Sequence, residues 1–352
     1  VSAEVFFGQT ICVIGVFDGV HIGHQYLLQQ AERQSDELGI PLLVVTFDRD
    51  PDDLFFSAAQ SRKLLSDQER LARLVLSDFG GAAKVGESGS EQEVELGAAM
   101  GMASGTTSDA KSDTTAGATP GTSNRFVLAL PFNQELADRS PADFLNQVLA
   151  KHCHPRAIHV GADFRFGSKA QGNVTTLTAW AATHGAEAFG HHLLDDGGRP
   201  ISATRIRDAL ASGDLAEANR LLTRPHHVSG TVVQGRGRGR VMGFPTANVA
   251  VTDGVMQPAD GVYAGFFEVE GELMPTAISV GAPPTFTGAE SAIEAFILDH
   301  SSDLYGQTAT VYFVERLRPM IAFESADQLS KQIQSDVDRT RQITDKTRSM
   351  FS

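Results

Sequence analysis

The order of apolar and polar positions changes character twice along the chain. Ile11 to Val16 is a continuous apolar run of strand type that breaks at Phe17-Asp18-Gly19. Apolar positions then resume at helical spacing, with Leu27, Leu28, Ala31 and Leu38 on one face, and Gly39 and Pro41 stop that helix. PLLVVTFD (41–48), FVLALPF (126–132) and RAIHVG (156–161) are further buried strands. Between them, Ser66-Asp67-Gln68-Glu69 has capping-box form, followed by a helix face of Leu71, Leu74 and Val75. Ser140-Pro141-Ala142-Asp143 supplies an N-cap, a proline at the first helical position and an early acid. Asp214 and Glu217 cap a last helix ending near Thr223. Strand and helix in alternation predict an α/β layer with a parallel sheet.

From Gly80 to Asn124 the pattern dissolves into Gly, Ala, Ser and Thr without an aromatic residue. Such a tract buries too little apolar area to offset its ordering entropy, so it is expected as a disordered insertion. A true interdomain linker is the rival reading. From Pro225 the texture changes again. VSGTVVQG, GVYAGFFEVEG, ELMPTAISVG, AIEAFILD and TATVYFVERL predict five or six antiparallel strands in a small β-barrel. Ser325 then caps a C-terminal helix with a stripe of Leu329, Ile333, Val337 and Ile343, expected to close the barrel. The expected domains are residues 1–224 and 225–352.

Length and composition add bounds. A chain of 352 residues holds two cores, and 41% hydrophobic with 20% charged residues is globular composition. The net charge of −14 argues against a general nucleic-acid binder. Cys12 and Cys153 match neither a disulfide framework nor a metal spacing, which suits reduced packing residues and a cytoplasmic setting. No apolar run approaches the roughly 20 residues that span a bilayer, so no membrane partner is expected. No signal peptide is visible, and the start at Val1 leaves a trimmed N-terminus open.

The turn between the first strand and first helix carries the first candidate chemistry. A strand feeding a helix through a glycine turn aims backbone N–H groups and the positive helix end at one spot, where an anion fits. His21 and His24 add side-chain donors there. HxGH alone equally suits a helix cap with surface histidines. The whole string GVFDGVHIGH (15–24) resembles the first signature of the nucleotidyltransferase superfamily, in the form carried by bacterial FAD synthetases. The resemblance extends to GADFRFG (161–167), similar to the family's GxDFxFG loop, and to ISATRIR (201–207), similar to its SxTxxR motif. In isolation the former also suits a structural loop anchored by two Phe. In the latter, Arg205 and Arg207 oppose the helix dipole, which calls for a bound anion.

The resemblance implies a Rossmann-like domain that joins the AMP part of ATP to FMN. It implies that His21 and His24 act on the phosphates and that Gly15, Phe17, Asp18, Gly23, Ser202, Thr204 and Arg207 bind ATP. Asp163, Phe164 and Phe166 are implied to bind the flavin. The chain departs from the family's TFDPHP at TFDRDP, where Asp50 takes the place of a histidine, and at Ala203, which replaces a serine. A carboxylate at 50 is expected to repel a triphosphate unless it binds Mg²⁺ or turns outward.

In the second half, GRGRGRVMGFPTANV (235–249) lies between strands. An RG-type nucleic-acid segment is one reading, weakened by its shortness and by the acidic chain. Thr246 and Asn248 offer hard oxygens suited to Mg²⁺ carrying a nucleotide, and this is no Walker A loop. Strand periodicity puts Glu294 on the face of Phe296 and Leu298, an apolar setting in which acids are often functional, although an edge-strand Glu reaching solvent also fits. GFPTAN, the Glu of IEAFILD and DLYGQ (303–307) resemble riboflavin kinase. That resemblance implies Mg–ATP held by Thr246 and Asn248 with Gly235, Arg240 and Gly243, and Glu294 as base toward the ribityl 5′-hydroxyl of riboflavin.

Together the motifs resemble the bacterial bifunctional riboflavin kinase/FAD synthetase family. The expected substrates and products are riboflavin, FMN, FAD and ATP, with Mg²⁺ as cofactor and neither nucleic acid nor membrane as partner. Two alternatives remain: a chain that is chiefly a kinase, its first domain impaired at Asp50, and a flavin- or nucleotide-binding regulator without turnover.

Overall fold

A computed structural model describes residues 8–51, 54, 62–76, 119–120, 125–192, 194–235, 244–251, 254–281, 293–300 and 302–351. Most of the 80–124 tract lies outside them. Two compact units emerge, the first up to Ser202 and the second from Ala203 onward.

In the first unit, β1 (Thr10–Ile14) leads into α1 (Ile22–Leu38), then β2 (Leu42–Phe47) and α2 (Asp67–Leu76). A short strand, β3 (Thr119–Pro120), precedes β4 (Arg125–Leu130). Next come α3 (Pro141–Asp143), continuing as a π-helical stretch (Phe144–Cys153), then β5 (Pro155–Gly161), α4 (Val174–Thr183), β6 (Glu187–His191) and a short antiparallel pair, β7 (Asp195–Asp196) and β8 (Arg199–Pro200). The sheet order is β3-β4-β2-β1-β5-β6, parallel throughout except for β3.

The unbroken apolar runs follow from helices on both faces of this sheet. Ile11, Val13 and Val44 pack toward Leu28 and Leu74 on one face. Cys12, Ile14, Leu43 and Val45 pack with Leu145, Leu149 and Cys153 on the other. Both cysteines are buried, unpaired thiols.

The helix signals behave as their chemistry requires. Ser66 and Glu69 form the reciprocal capping box, Glu69 N–H donating to Ser66 Oγ at 3.2 Å and Ser66 N–H to Glu69 Oε2 at 3.1 Å. Gly39 ends α1 in the left-handed conformation, φ 64°. Leu38, expected in the core, is exposed. The chain reverses at Gly39, and Ile40 packs against the core instead.

In the second unit, α5 (Ala203–Ser212) packs on α6 (Leu215–Leu222), and α6 lies on β9 (His226–Val233) and β14 (Thr308–Arg318). The remaining strands are β10 (Ala247–Val251), β11 (Gly261–Val269), β12 (Glu272–Val280) and β13 (Ile293–Ile297). They close in the order β10-β13-β12-β11-β14-β9, with every pairing antiparallel. The sixth strand, β10, comes from the segment expected as an inter-strand loop, because Val249 turns into the barrel while Asn248 turns out.

α7 (Ala326–Thr347) packs on β11, β12 and β14. The strands close the barrel without it. Of the expected apolar stripe Val337 is buried and Ile343 packs on the barrel, and the other most buried positions are polar, Asp336, Thr340 and Thr344. Asp336 is paired with Arg318 at 2.8 Å, and Thr340 and Thr344 hydroxyls donate to carbonyls one turn back.

Candidate functional site

The first site is the turn from Gly15 to His24. β1 has β2 on one side and β5 on the other, so the sheet's topological switch lies at the C-terminal end of β1, where open α/β sheets hold ligands. The chain leaves β1 through a left-handed Phe17 (φ 59°), whose fully buried ring folds back beneath Gly15. A Cβ on Gly15 would stand 3.2 Å from that ring. Asp18 is buried, and its Oδ1 accepts the Leu64 N–H at 2.9 Å. Phe17 and Asp18 therefore build the turn from inside.

His21 caps α1, its Nδ1 accepting the His24 N–H at 3.4 Å. That places the His21 proton on Nε2. The two imidazoles stack with centroids 3.7 Å apart, and Phe17 meets His24 edge-on at 5.4 Å. His24 Nδ1 is buried without a hydrogen-bond partner among the described residues. Burial above all, then His21 and the Arg70 guanidinium, hold the His24 imidazole neutral, well below its ordinary pKa. Gly23 leaves room for this stack, since a Cβ there would stand 3.1 Å from His21 Cε1. The same Cβ would be 3.5 Å from the Ile201 carbonyl, so the segment leading into Ser202 passes beside the turn.

At the end of β5, Asp163 is exposed and Phe164 half-buried. Phe164 stacks on Phe166, which is buried and packs on Phe144 in the core. Phe166 is thus the support and Phe164 the accessible ring. In the second unit, Thr204 is exposed and Arg207 half-buried. Arg205 needs no anion, because it is buried in an ion pair with Glu217, which also takes Arg220. Asp50 is buried, which removes the outward-turned option.

The second site is on the barrel. Asn248 and Glu294 face each other across β10 and β13, and Ser279 is opposite Glu294 on β12. Ile293, Ala295 and Ile297 fill the interior, so Glu294 and Phe296 point to the outer, half-buried side. That corrects the expected apolar face: Leu298 lies in the turn beyond the strand, and the neighbours of Glu294 are Asn248 and Ser279. Gly235 lies against the Asn248 side chain, where a Cβ would fall 2.8 Å from Oδ1. Thr246 precedes β10, and Phe244 meets Phe296 edge-on at 5.4 Å. Arg240 and Gly243 lie outside the described residues.

Two features were not anticipated. Arg70 is buried beneath the first turn, although its spacing four residues before Leu74 places it on the inward helix face. Phe47 and Phe132 form an edge-on pair at 5.1 Å just beyond β2 and β4.

Each half of the chain is similar to a known family. Residues 222–344 match the riboflavin kinase family, and residues 5–80 and 121–205 match the FAD synthetase family. The chain is 30% identical to a bifunctional riboflavin kinase/FMN adenylyltransferase of Haemophilus influenzae, over 93% of this chain and 92% of that protein. It is 31% identical to the protein of that description from Escherichia coli K12, over 93% and 90%. A crystal structure described as a macrolide-efflux protein from Streptococcus pneumoniae superposes with a TM-score of 0.72, covering 97% of both chains at 28% identity. No helix among the described residues is long and apolar enough to cross a membrane.

Proposed function

The chain belongs to the bifunctional riboflavin kinase/FMN adenylyltransferase family, and from that premise we propose how its residues share the two reactions. It phosphorylates riboflavin to FMN and adenylylates FMN to FAD with release of pyrophosphate. The observation carrying this reading is the match of one family to each half of the chain. By motif, residues 1–224 serve adenylyl transfer and 225–352 phosphoryl transfer, although 203–224 packs with the second unit.

In the kinase reaction, Glu294 accepts the proton of the ribityl 5′-hydroxyl as its oxygen attacks the γ-phosphorus of ATP, and the bond from that phosphorus to the β,γ-bridging oxygen breaks with its electron pair leaving on ADP. Thr246 and Asn248 hold the metal-bound nucleotide, with Gly235, Arg240 and Gly243 around its phosphates. The donor set fits Mg²⁺: a hydroxyl and an amide oxygen are hard ligands. Bound there, Mg²⁺ supplies charge neutralisation of the phosphates. Orientation and proton removal remain the work of the side chains.

In the second reaction, an FMN phosphate oxygen attacks the α-phosphorus of ATP, and the α–β bond breaks with its electron pair leaving on pyrophosphate. His21 and His24 contact the phosphates, and the buried Nδ1 of His24, without a hydrogen-bond partner among the described residues, supports a ligand at this turn. Gly15 and Gly23 let the backbone approach the nucleotide. Ser202, Thr204 and Arg207 are assigned to ATP by their motif. Phe164 offers the flavin a ring, backed by Phe166, with Asp163 at the rim. A cytoplasmic setting fits the two unpaired thiols.

The test is incubation of the purified chain with riboflavin, ATP and Mg²⁺, followed by chromatography of the flavins. FMN and then FAD are expected. FMN alone would reduce the chain to a kinase, and neither product would leave a binding protein.

A further inference from the structure

The largest fully buried side chain in the first unit is a cation that the two reactions leave unexplained. Arg70 is 1% exposed and spans the C-terminal ends of two adjacent central strands. Its Nη1 donates to the Val16 carbonyl just past β1 at 3.0 Å and to Thr46 Oγ1 at 2.8 Å. Its Nη2 donates to the Phe47 carbonyl, the last of β2, at 2.8 Å, and to Asp67 Oδ1 at 3.2 Å. Thr46 Oγ1 also donates to Val16 O, at 3.2 Å. Asp67 is shared with Lys63 at 2.7 Å.

Buried guanidinium is costly to keep, and packing alone is served by Leu or Met. Two carbonyl oxygens beneath a phosphate site oppose an anion above them, and a planar fork covers both at once where an ammonium cannot. The residue between them and His24 is Phe17, whose left-handed conformation depends on where Val16 is held. Arg70 also acts electrostatically on His24, opposing its protonation together with His21. Charged groups near this corner include Asp18, which accepts the Leu64 N–H, Asp67 and Lys63, and, just past Phe47, the Asp48–Arg49 pair and buried Asp50.

We propose that Arg70 is a positioning residue for adenylyl transfer: it ties the ends of β1 and β2 together beneath the His21/His24 turn and provides the fixed positive charge of that site. The inference rests on the assignment of adenylyl transfer to this turn. It predicts separable roles for charge and fork. Lysine restores the charge but bridges only one strand end.

The experiment uses the full chain and its Arg70→Met, Arg70→Lys and His24→Ala variants. FAD formation from supplied FMN is measured over a range of ATP, with riboflavin phosphorylation and thermal unfolding as integrity controls. Arg70→Met is expected to raise the ATP KM of FAD synthesis about tenfold or more, as removal of a charge-assisted interaction does, with kinase activity unchanged. Arg70→Lys is expected to return KM to within about threefold while kcat stays about fivefold or more below wild type. An unchanged ATP KM in folded Arg70→Met, or a lysine variant no better than methionine, overturns the proposal. If Arg70→Met fails to fold, the lysine variant decides alone: kcat within about twofold of wild type contradicts the fork. His24→Ala separates the premise from the inference. Full FAD synthesis without His24 removes the premise, whereas an inactive His24→Ala beside a normal Arg70→Met overturns the role of Arg70 alone.

Discussion

Asn248 and Glu294 stand directly opposite each other on neighbouring antiparallel strands, both turned out of the barrel. Directly opposed side chains have Cβ atoms about 4.5–5.5 Å apart, so an oxygen ligand and a carboxylate share one small area. A kinase needs that juxtaposition, because the base must lie beside the metal-bound phosphate it serves. Pairing of β10 with β13 creates it from residues 46 positions apart in sequence.

Gly235→Ala tests that arrangement without touching either polar group. The new Cβ would overlap Asn248 Nδ2, so the amide must swing away. We expect the ATP KM of the kinase to rise about tenfold, the worth of one charge-assisted interaction, with a melting temperature shift of only a few degrees. An unaltered KM in initial-rate measurements would show that Asn248 does not hold the nucleotide.

Gly23→Ala makes the corresponding test of the first site. Its Cβ would press on His21 at 3.1 Å from Cε1, displacing the stacked pair. FAD formation is expected to fall by about tenfold, since His21 must give by a few tenths of an ångström, while FMN formation is retained. Equal loss of both products in a folded variant would argue against separate sites.

A third prediction concerns acid stability. His159 is buried in β5, with Nδ1 2.9 Å from His191 Nε2 and Nε2 2.6 Å from Gln34 Oε1. Burial, aided by His191, lowers its pKa to about 4. Burial lowers that of His191 too. Above the unfolded value near 6.5 both states are neutral and pH has no effect through this group. As pH falls from 6.5 toward 4, the unfolded chain takes up a proton that the folded chain refuses. Stability present above 6.5 is therefore lost by pH 4, on the order of 3 kcal/mol from His159. Melting of the first unit in His159→Leu should depend less steeply on pH across this window. An identical slope would remove His159 as the cause.

Local signals were legible in the sequence where they depend on neighbours along the chain. The capping box at Ser66–Glu69, the Ser140 and Ser325 caps and the left-handed Gly39 all follow from short-range chemistry. So does the doubly buried run of β1, which requires helices on both faces. The misreadings came from partners distant in sequence. Arg205 looked like an anion ligand until Glu217 came beside it. Glu294 looked apolar-facing because periodicity gives two faces without saying which one is the core. Asp50 is buried, an outcome its local string did not distinguish from exposure. Arg70 carries no such signal, because a charged residue on a helix is normally solvated, and the carbonyls of Val16 and Phe47, the Thr46 hydroxyl and Asp67 together explain its burial.

Two independent sites in one chain that perform consecutive reactions are separable by flavin chromatography of two variants. Glu294→Gln should lower FMN formation from riboflavin by about 10²–10⁴-fold, the usual contribution of a general base, and still convert supplied FMN to FAD. His21→Ala with His24→Ala should form FMN at the wild-type rate and no FAD. That reciprocal pattern is the predicted result. A Glu294→Gln enzyme with near-normal kinase turnover, or a folded double-histidine variant lacking both products, would contradict the account.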